Sequence, residues 1–137
     1  MKKYILALMI LSLTSGCMVN DREVEKEAIE ASLTSMVDVQ ATLAEILTLL
    51  NQFEKDLEKK PNKETIHEYG QRIEDKWDTI EKKVESKFPE DYVIVEKSLY
   101  PLIGEAKSPV YNLDKVKSNL KESQTKLSNL QKKWQAQ

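Results

Sequence analysis

Apolar residues recur every seven positions along residues 24–58, and this repeat restricts the first half of the chain to an amphipathic helix. One set of positions comprises Ile29, Met36, Leu43, Leu50 and Leu57, and the interleaved set comprises Ser32, Val39, Ile46 and Phe53. The stripe is widened on both sides by Ala28, Leu33, Leu47 and Leu49. A two-stranded coiled coil needs only the narrow seam, so the wide stripe favours a bundle in which this helix packs against two or more neighbours.

A second helix is predicted for about residues 63–87, after a short break that ends in Asn62. Asparagine is a good N-cap, and the short loop predicts that the two helices are antiparallel. Gly70 falls on the apolar stripe, where glycine costs about 1 kcal/mol relative to alanine, so we expect another helix to approach closely there. Trp77 lies on the same stripe and Trp134 on that of the last helix, and both are predicted to be in the core.

Two more helices complete the predicted fold. Pro89 fits the first turn of a third helix at about residues 90–106, although Pro101 is expected to kink or break it. Asn112 then caps a fourth helix. We therefore predict an all-α, four-helix bundle with up-down-up-down topology. The alternative is a three-helix bundle with an irregular 90–111 segment.

The first 17 residues have the order of a bacterial export signal. Two lysines follow Met1, residues 5–13 are apolar and uncharged, and small residues precede Cys17. These small residues resemble the lipobox of bacterial lipoproteins, with Thr14 at a position where that motif usually carries leucine. The resemblance implies diacylglycerol on the Cys17 sulfur, cleavage between Gly16 and Cys17, and often acylation of the new amine.

The resemblance also divides the chain into three parts and implies its location. Residues 1–16 are expected to be a signal peptide, residues 17–23 a lipid-anchored linker, and residues 24–137 the bundle domain. Two or three acyl chains anchor a protein stably, because each buried CH₂ contributes about 0.8 kcal/mol. We therefore expect the protein on the extracytoplasmic face of the cell membrane, held there by lipid on Cys17.

The charge of the chain argues against a nucleic-acid partner. The chain has 21 Lys and Arg and 23 Asp and Glu, and loss of Lys2 and Lys3 with the signal leaves 19 basic residues and a net charge of about −4. Nucleic-acid binding needs a basic face. Acids such as Glu74, Asp78 and Glu81 lie near lysines at helical spacing, which indicates a solvated face with weak ion pairs rather than a paired-carboxylate active site.

The sequence contains few residues that could bind a metal or a cofactor or catalyse a reaction. His67 is the single histidine, and Glu64 precedes it with the Glu-x-x-His spacing of di-iron bundles, which need two such pairs and two more carboxylates. A haem would need an axial partner such as Met36, which we expect roughly 27 Å from His67 along the paired helices. Cys17 is the single cysteine and is assigned to lipid, and no serine lies in a Gly-rich elbow. We therefore expect no metal, no cofactor and no catalytic residue.

Residues 88–111 are the segment that we predict to contact a partner. This segment contains three of the four prolines together with Tyr92, Tyr100 and Tyr111. Tyrosines on a proline-stiffened segment make good contact surfaces, although they also cap bundle ends. We expect Tyr100 and Tyr111 to contact a partner. The leading hypothesis is a non-enzymatic lipoprotein that binds an envelope protein or the cell wall, and the alternative is a metal- or ligand-binding accessory lipoprotein of a transport system.

Overall fold

Four helices make up the part of the chain that the structure describes. The computed structural model describes residues 21–137, without the side chains of residues 21–25, 32, 35 and 37. Its helices are α1 (Asp21–Glu58), α2 (Lys63–Lys87), α3 (Pro89–Lys107) and α4 (Leu113–Gln135). The described residues contain no β-strand, which confirms the all-α class. None of these four helices combines the length and the apolar character that a membrane span requires.

Local sequence signals set the ends of the helices. Oδ1 of Asn62 accepts a hydrogen bond from the backbone N–H of Thr65 at 2.9 Å, and Oδ1 of Asn112 accepts one from the backbone N–H of Lys115 at 3.1 Å. Both asparagines are therefore N-caps, as predicted. Pro89 occupies the first turn of α3, where its missing N–H costs nothing. These residues place the starts of α2, α3 and α4 within a few residues of the predicted positions.

The heptad seam of α1 is buried over only part of its predicted length. Its buried side chains are Val39, Leu43, Ile46, Leu49, Leu50, Phe53 and Leu57. Ile29 and Leu33 are 54% and 57% exposed, so the prediction that the seam packs from about residue 24 onward is wrong for its first part. The reason is length, because α1 has 38 residues, or about 57 Å, whereas α2 has 25 and α4 has 23. Neither neighbour covers the N-terminal part of α1.

The buried faces of the four helices form one core. Helix α1 packs on α2 and α4, and α3 packs on the same two helices. An ion pair between Lys76 and Glu45 and a 2.6 Å hydrogen bond from the Tyr69 hydroxyl to Asp56 join α2 to α1. The chain rises from Glu45 to Asp56 in α1 while the partners descend from Lys76 to Tyr69 in α2. These two helices are therefore antiparallel, and the four helices form a helical bundle.

Both tryptophans lie in the core, which confirms the prediction. Trp77 is fully buried, and its ring stacks against that of Tyr92 with 6.2 Å between the ring centroids. Trp134 is also buried and meets the ring of Phe88 edge to face, with 5.3 Å between centroids. Aromatic pairs of this kind add about 0.5–1.5 kcal/mol beyond the area they bury. The two aromatic pairs stabilise the packing of the start of α3 against α2 and against the end of α4.

Helix α3 continues through Pro101. The expected break does not occur, and the alternative fold with an irregular 90–111 segment is wrong, because α3 runs from Pro89 to Lys107. Proline has no N–H, so the carbonyl of Lys97 lacks its usual helical donor. Lys97 and Pro101 are both exposed, so that carbonyl lies on the solvent side of the helix, where water can satisfy it.

Gly70 marks a close approach of α2 and α3, as predicted. A Cβ at Gly70 would lie 3.0 Å from Cβ of Ala106 and 3.0 Å from Cγ of Lys107. A Cβ at Gly104 would meet no atom within 4 Å. The packing of α2 on α3 therefore requires a glycine at the first position but not at the second.

Substitutions at these two glycines are expected to have opposite effects. Gly70→Leu should lower the free energy of unfolding by about 1–3 kcal/mol, because the added atoms force α3 to move. Gly104→Ala should raise it by up to about 1 kcal/mol, because alanine is the better helix former and has room there. Urea denaturation followed by circular dichroism would measure both changes. Similar stabilities for the two variants would contradict the close approach at Gly70.

Candidate functional site

The residues that the sequence assigns to sites lie in different parts of the molecule. Cys17 lies outside the described residues, as do residues 1–16, whereas residues 21–23 of the predicted linker form the start of α1. Tyr111 lies in the loop between α3 and α4 and packs, half-buried, against the edge of the core. Tyr100 lies in α3 and is 40% exposed. Tyr111 is thus partly covered by the core, and Tyr100 is the more exposed of the two side chains.

Two tyrosines of α3 lie beside carboxylates. The Tyr100 hydroxyl donates to Oε2 of Glu81 in α2 at 2.9 Å. Partial burial of the ring, followed by this hydrogen bond, raises the pKa of Tyr100. The neighbouring Glu96 carboxylate, followed by partial burial, raises the pKa of Tyr92 to about 12. Both phenols are therefore protonated at neutral pH, and Tyr100 donates its proton to Glu81 in a hydrogen bond.

Four acidic residues form a stripe on the side of α2 that faces α3. We call this stripe the acidic ladder, and it consists of Glu74, Asp78, Glu81 and Glu85. Their spacing of four, three and four residues places them on one helix face. Lys107 of α3 forms an ion pair with Glu74. Loss of solvation, followed by the negative charges of Glu81, Glu74 and Asp75, raises the pKa of Asp78. Negative charge is therefore concentrated along the groove between α2 and α3.

The structure separates Lys76 of α2 from the acidic ladder. Spacing alone predicts a mixed, solvated face in which acids and lysines neutralise one another. Lys76, however, points to α1 and forms an ion pair with Glu45. Glu74 and Glu81, in contrast, contact α3 through Lys107 and Tyr100. The charge of the acidic ladder is thus not neutralised by Lys76, although the two are neighbours in sequence.

The outward side of α3 is apolar. We call it the apolar strip, and it consists of Val93, Tyr100, Pro101 and Gly104, all of which are exposed. Val93 is 48% exposed, and Ile94 beside it is exposed to a similar degree. Lys97 lies among these residues, and its methylene chain adds apolar surface while its ammonium group reaches water. The exposed residues of α2 and α4, in contrast, are mainly charged or polar.

The sequence points to Tyr100 but not to the rest of the apolar strip. Val93 and Gly104 lie seven residues before and four residues after Tyr100, a spacing that places all three on one side of a helix. The buried stripe of α3 includes Val95 and Leu99 on the opposite side. A second apolar stripe opposite the buried one is the signal that identifies this surface.

The residues considered for metal binding do not come together. His67 is exposed near the start of α2. Sδ of Met36 lies 3.8 Å from Nζ of Lys87, which is the last residue of α2. About 20 residues of helix, or roughly 30 Å, therefore separate Met36 from His67. Among the side chains that the structure describes, no three of His, Cys, Asp or Glu form a group that could hold a metal ion.

An open groove of about 510 Å³ lies between α1 and α4. Nε2 of Gln124 bridges it by donating hydrogen bonds to Oδ1 of Asn51 and Oε2 of Glu54, both at 3.0 Å. Its polar side chains thus bind one another across the groove and join the two helices. The side formed by α2 and α3, with its separated charge and exposed apolar residues, is the stronger candidate for a functional surface.

The chain is similar in sequence to the iron uptake system component EfeM of Bacillus subtilis. The two proteins are 26% identical over 122 residues, which make up 88% of this chain. The matched region covers only 31% of the length of EfeM. No protein-family profile matches the chain, and no solved structure matches it significantly.

Proposed function

We propose that this protein is a non-enzymatic accessory of an iron uptake system, held on the extracytoplasmic face of the cell membrane by lipid on Cys17. The observation that carries the proposal is the similarity to EfeM, which extends over 88% of the chain. A match of that length includes most of the helical bundle, so the export signal alone does not account for it. The iron uptake role therefore belongs to the bundle.

In this proposal the bundle binds a protein rather than a substrate. EfeM is named as one component of a system, and a component acts together with others. The acidic ladder and the apolar strip give this chain a surface on which such a contact can form. Tyr100 lies where the two meet, and Tyr111 supports the end of the bundle from the loop between α3 and α4.

The anchor and the helix order are parts of the same proposal. The lipobox-like residues before Cys17 support lipidation and export. The up-down-up-down order is supported by ion pairs that join successive helices, Lys107 with Glu74 and Lys133 with Asp91. The first joins the end of α3 to the middle of α2, and the second joins the end of α4 to the start of α3, as antiparallel neighbours require.

Uptake of radioactive iron tests the role directly. Deletion of the gene from its host should reduce iron uptake under iron limitation, and the full-length chain supplied from a plasmid should restore it. Uptake of radioactive zinc by the same cells is the control, and we expect it to be unchanged. Normal iron uptake in the deletion strain would contradict the proposed function. An equal loss of zinc uptake would contradict it too, because it would indicate a general defect of the envelope.

A further inference from the structure

We propose that the acidic ladder and the apolar strip together form one docking surface for a basic amphipathic helix of a protein partner. The inference rests on the proposed function for the idea of a protein partner, and it adds the chemistry of that partner. Its tests use purified protein and peptides, so their failure is distinguishable from a failure of the iron uptake test.

Exposed side chains of α3 provide the apolar part of this surface. Val93 and Tyr100 are 48% and 40% exposed, and Pro101 and Gly104 are exposed beside them. The core contacts of α3 are made by the opposite side of the helix, where Leu99 and neighbouring residues are buried. Apart from the partly buried Tyr100, which bonds Glu81 of α2, the apolar strip thus lies outside the core. Exposed apolar side chains grouped on one side of a helix are a feature of interaction sites.

The shape of the apolar strip suits a helix. It follows the axis of α3 from Val93 to Gly104, a length of about 16 Å or three helical turns. No atom lies within 4 Å of a Cβ built on Gly104, and Pro101 next to it has a compact ring. A partner backbone can therefore approach closely at this end. A second helix packed along α3 would match the length of the strip, and the small residues at this end would allow it to approach closely.

The charge of the surface selects a basic partner. Together with Glu96, the four residues of the acidic ladder supply five carboxylates. The cations beside them are Lys82 of α2 and Lys97 and Lys107 of α3, so the carboxylates are in excess, and Lys107 is already paired with Glu74. A helix with apolar side chains on the strip would place its flank along the ladder, where Lys or Arg at intervals of three and four residues would meet the carboxylates. The same carboxylates repel an anionic lipid surface.

Two synthetic helical peptides test the proposal. One consists of leucine and lysine with all leucines on one side, about 18 residues or five turns long, and the other has glutamate in place of every lysine. Fluorescence anisotropy would measure their binding to residues 18–137, which contain every described core residue from Val39 to Trp134. We expect the lysine peptide to bind about tenfold or more tightly than the glutamate peptide, a difference of at least about 1.4 kcal/mol. Its affinity should fall as salt is added.

The same substitution at two valines, one in the apolar strip and one outside it, distinguishes binding at the strip from non-specific hydrophobic binding. Val93→Asp should weaken binding of the lysine peptide about tenfold, because the charge lies where its leucines pack. Val110→Asp is the control, since Val110 is 85% exposed in the loop between α3 and α4 and outside the strip. We expect it to retain the wild-type affinity within about twofold.

Two double variants with the same change in net charge distinguish binding at the acidic ladder from attraction to the charge of the whole protein. The double variant Glu81→Lys/Glu85→Lys should weaken binding of the lysine peptide about tenfold and reduce its dependence on salt. Glu27→Lys/Glu30→Lys makes the same change in net charge on the exposed part of α1, and it should leave the affinity within about twofold. Circular dichroism of each variant would show that the helices are intact.

Three results would overturn the proposal. Equal weakening by the surface variants and their controls would show non-specific attraction, and tighter binding of the glutamate peptide would show the wrong charge. Vesicles of phosphatidylglycerol and phosphatidylethanolamine test a membrane as the other occupant. If residues 18–137 bind these vesicles and Val93→Asp abolishes the binding, the surface belongs to lipid and not to a protein helix.

Discussion

Leu43→Ala is expected to lower the free energy of unfolding by about 2–5 kcal/mol, and Ile46→Ala by a similar amount. Both side chains are fully buried in the packed part of α1. The substitution removes apolar atoms from the core and leaves a cavity, because the close-packed side chains of α2 and α4 relax only partly into the space. The loss is a large fraction of the stability of an ordinary domain, which is about 5–15 kcal/mol in total.

Leu33→Ala is the matched control, since it makes the same change in the same helix at a side chain that is 57% exposed. We expect it to alter the free energy of unfolding by less than about 0.5 kcal/mol. Urea denaturation of residues 18–137, followed by far-ultraviolet circular dichroism, would measure all three variants. A loss at Leu33 equal to that at Leu43 would contradict the unpacked start of α1. Losses near zero at Leu43 and Ile46 would mean that α1 is not part of the core.

Cys17→Ser is expected to abolish lipidation and to leave either an unprocessed precursor or a protein released from the membrane. In the proposed anchor the Cys17 sulfur carries the diacylglycerol, and serine has no thiol that could accept it. Each CH₂ that is no longer buried in the bilayer removes about 0.8 kcal/mol of membrane affinity, so losing two or three chains removes the anchor. Metabolic labelling with a fatty-acid probe would measure lipidation, and cell fractionation would measure release.

Ser15→Ala is the control for this substitution, because it keeps a small residue just before the expected cleavage site. We expect this variant to take up the fatty-acid probe and to remain in the membrane fraction, as the wild type does. Uptake of the probe by Cys17→Ser would show that the lipid is attached elsewhere and that the anchor assignment is wrong.

Helix positions follow from local sequence, but the extent of packing does not. Asn62 and Asn112 act through hydrogen bonds within one turn, so their role as caps is visible in the sequence. The heptad repeat of α1, in contrast, continues from Ile29 to Leu57, with Ser32 as its one polar position. Where that repeat stops being buried depends on the lengths of α2 and α4. Periodicity along one helix contains no information about the lengths of its neighbours.

The candidate surface was predictable in part for the same reason. Tyr100 stands out because an aromatic residue lies next to a proline, and this is local. The separation of Glu81 from Lys76 is not, because it depends on which neighbour faces each side of α2. The continuity of α3 through Pro101 likewise depends on its exposure, since water satisfies the free carbonyl only on the solvent side. These features required the arrangement of all four helices.

The unpacked start of α1 determines how far the bundle could stand from its point of attachment. Residues 21–35 form about four turns of helix before the contact of Met36 with Lys87 of α2, a segment of about 22 Å. If this segment stood upright on lipid at Cys17, it would raise the docking surface by about two thirds of the thickness of the hydrocarbon core, which is about 30 Å. The surface could then contact a partner that extends well beyond the bilayer. Partners that project tens of ångströms from it are the ones to examine first.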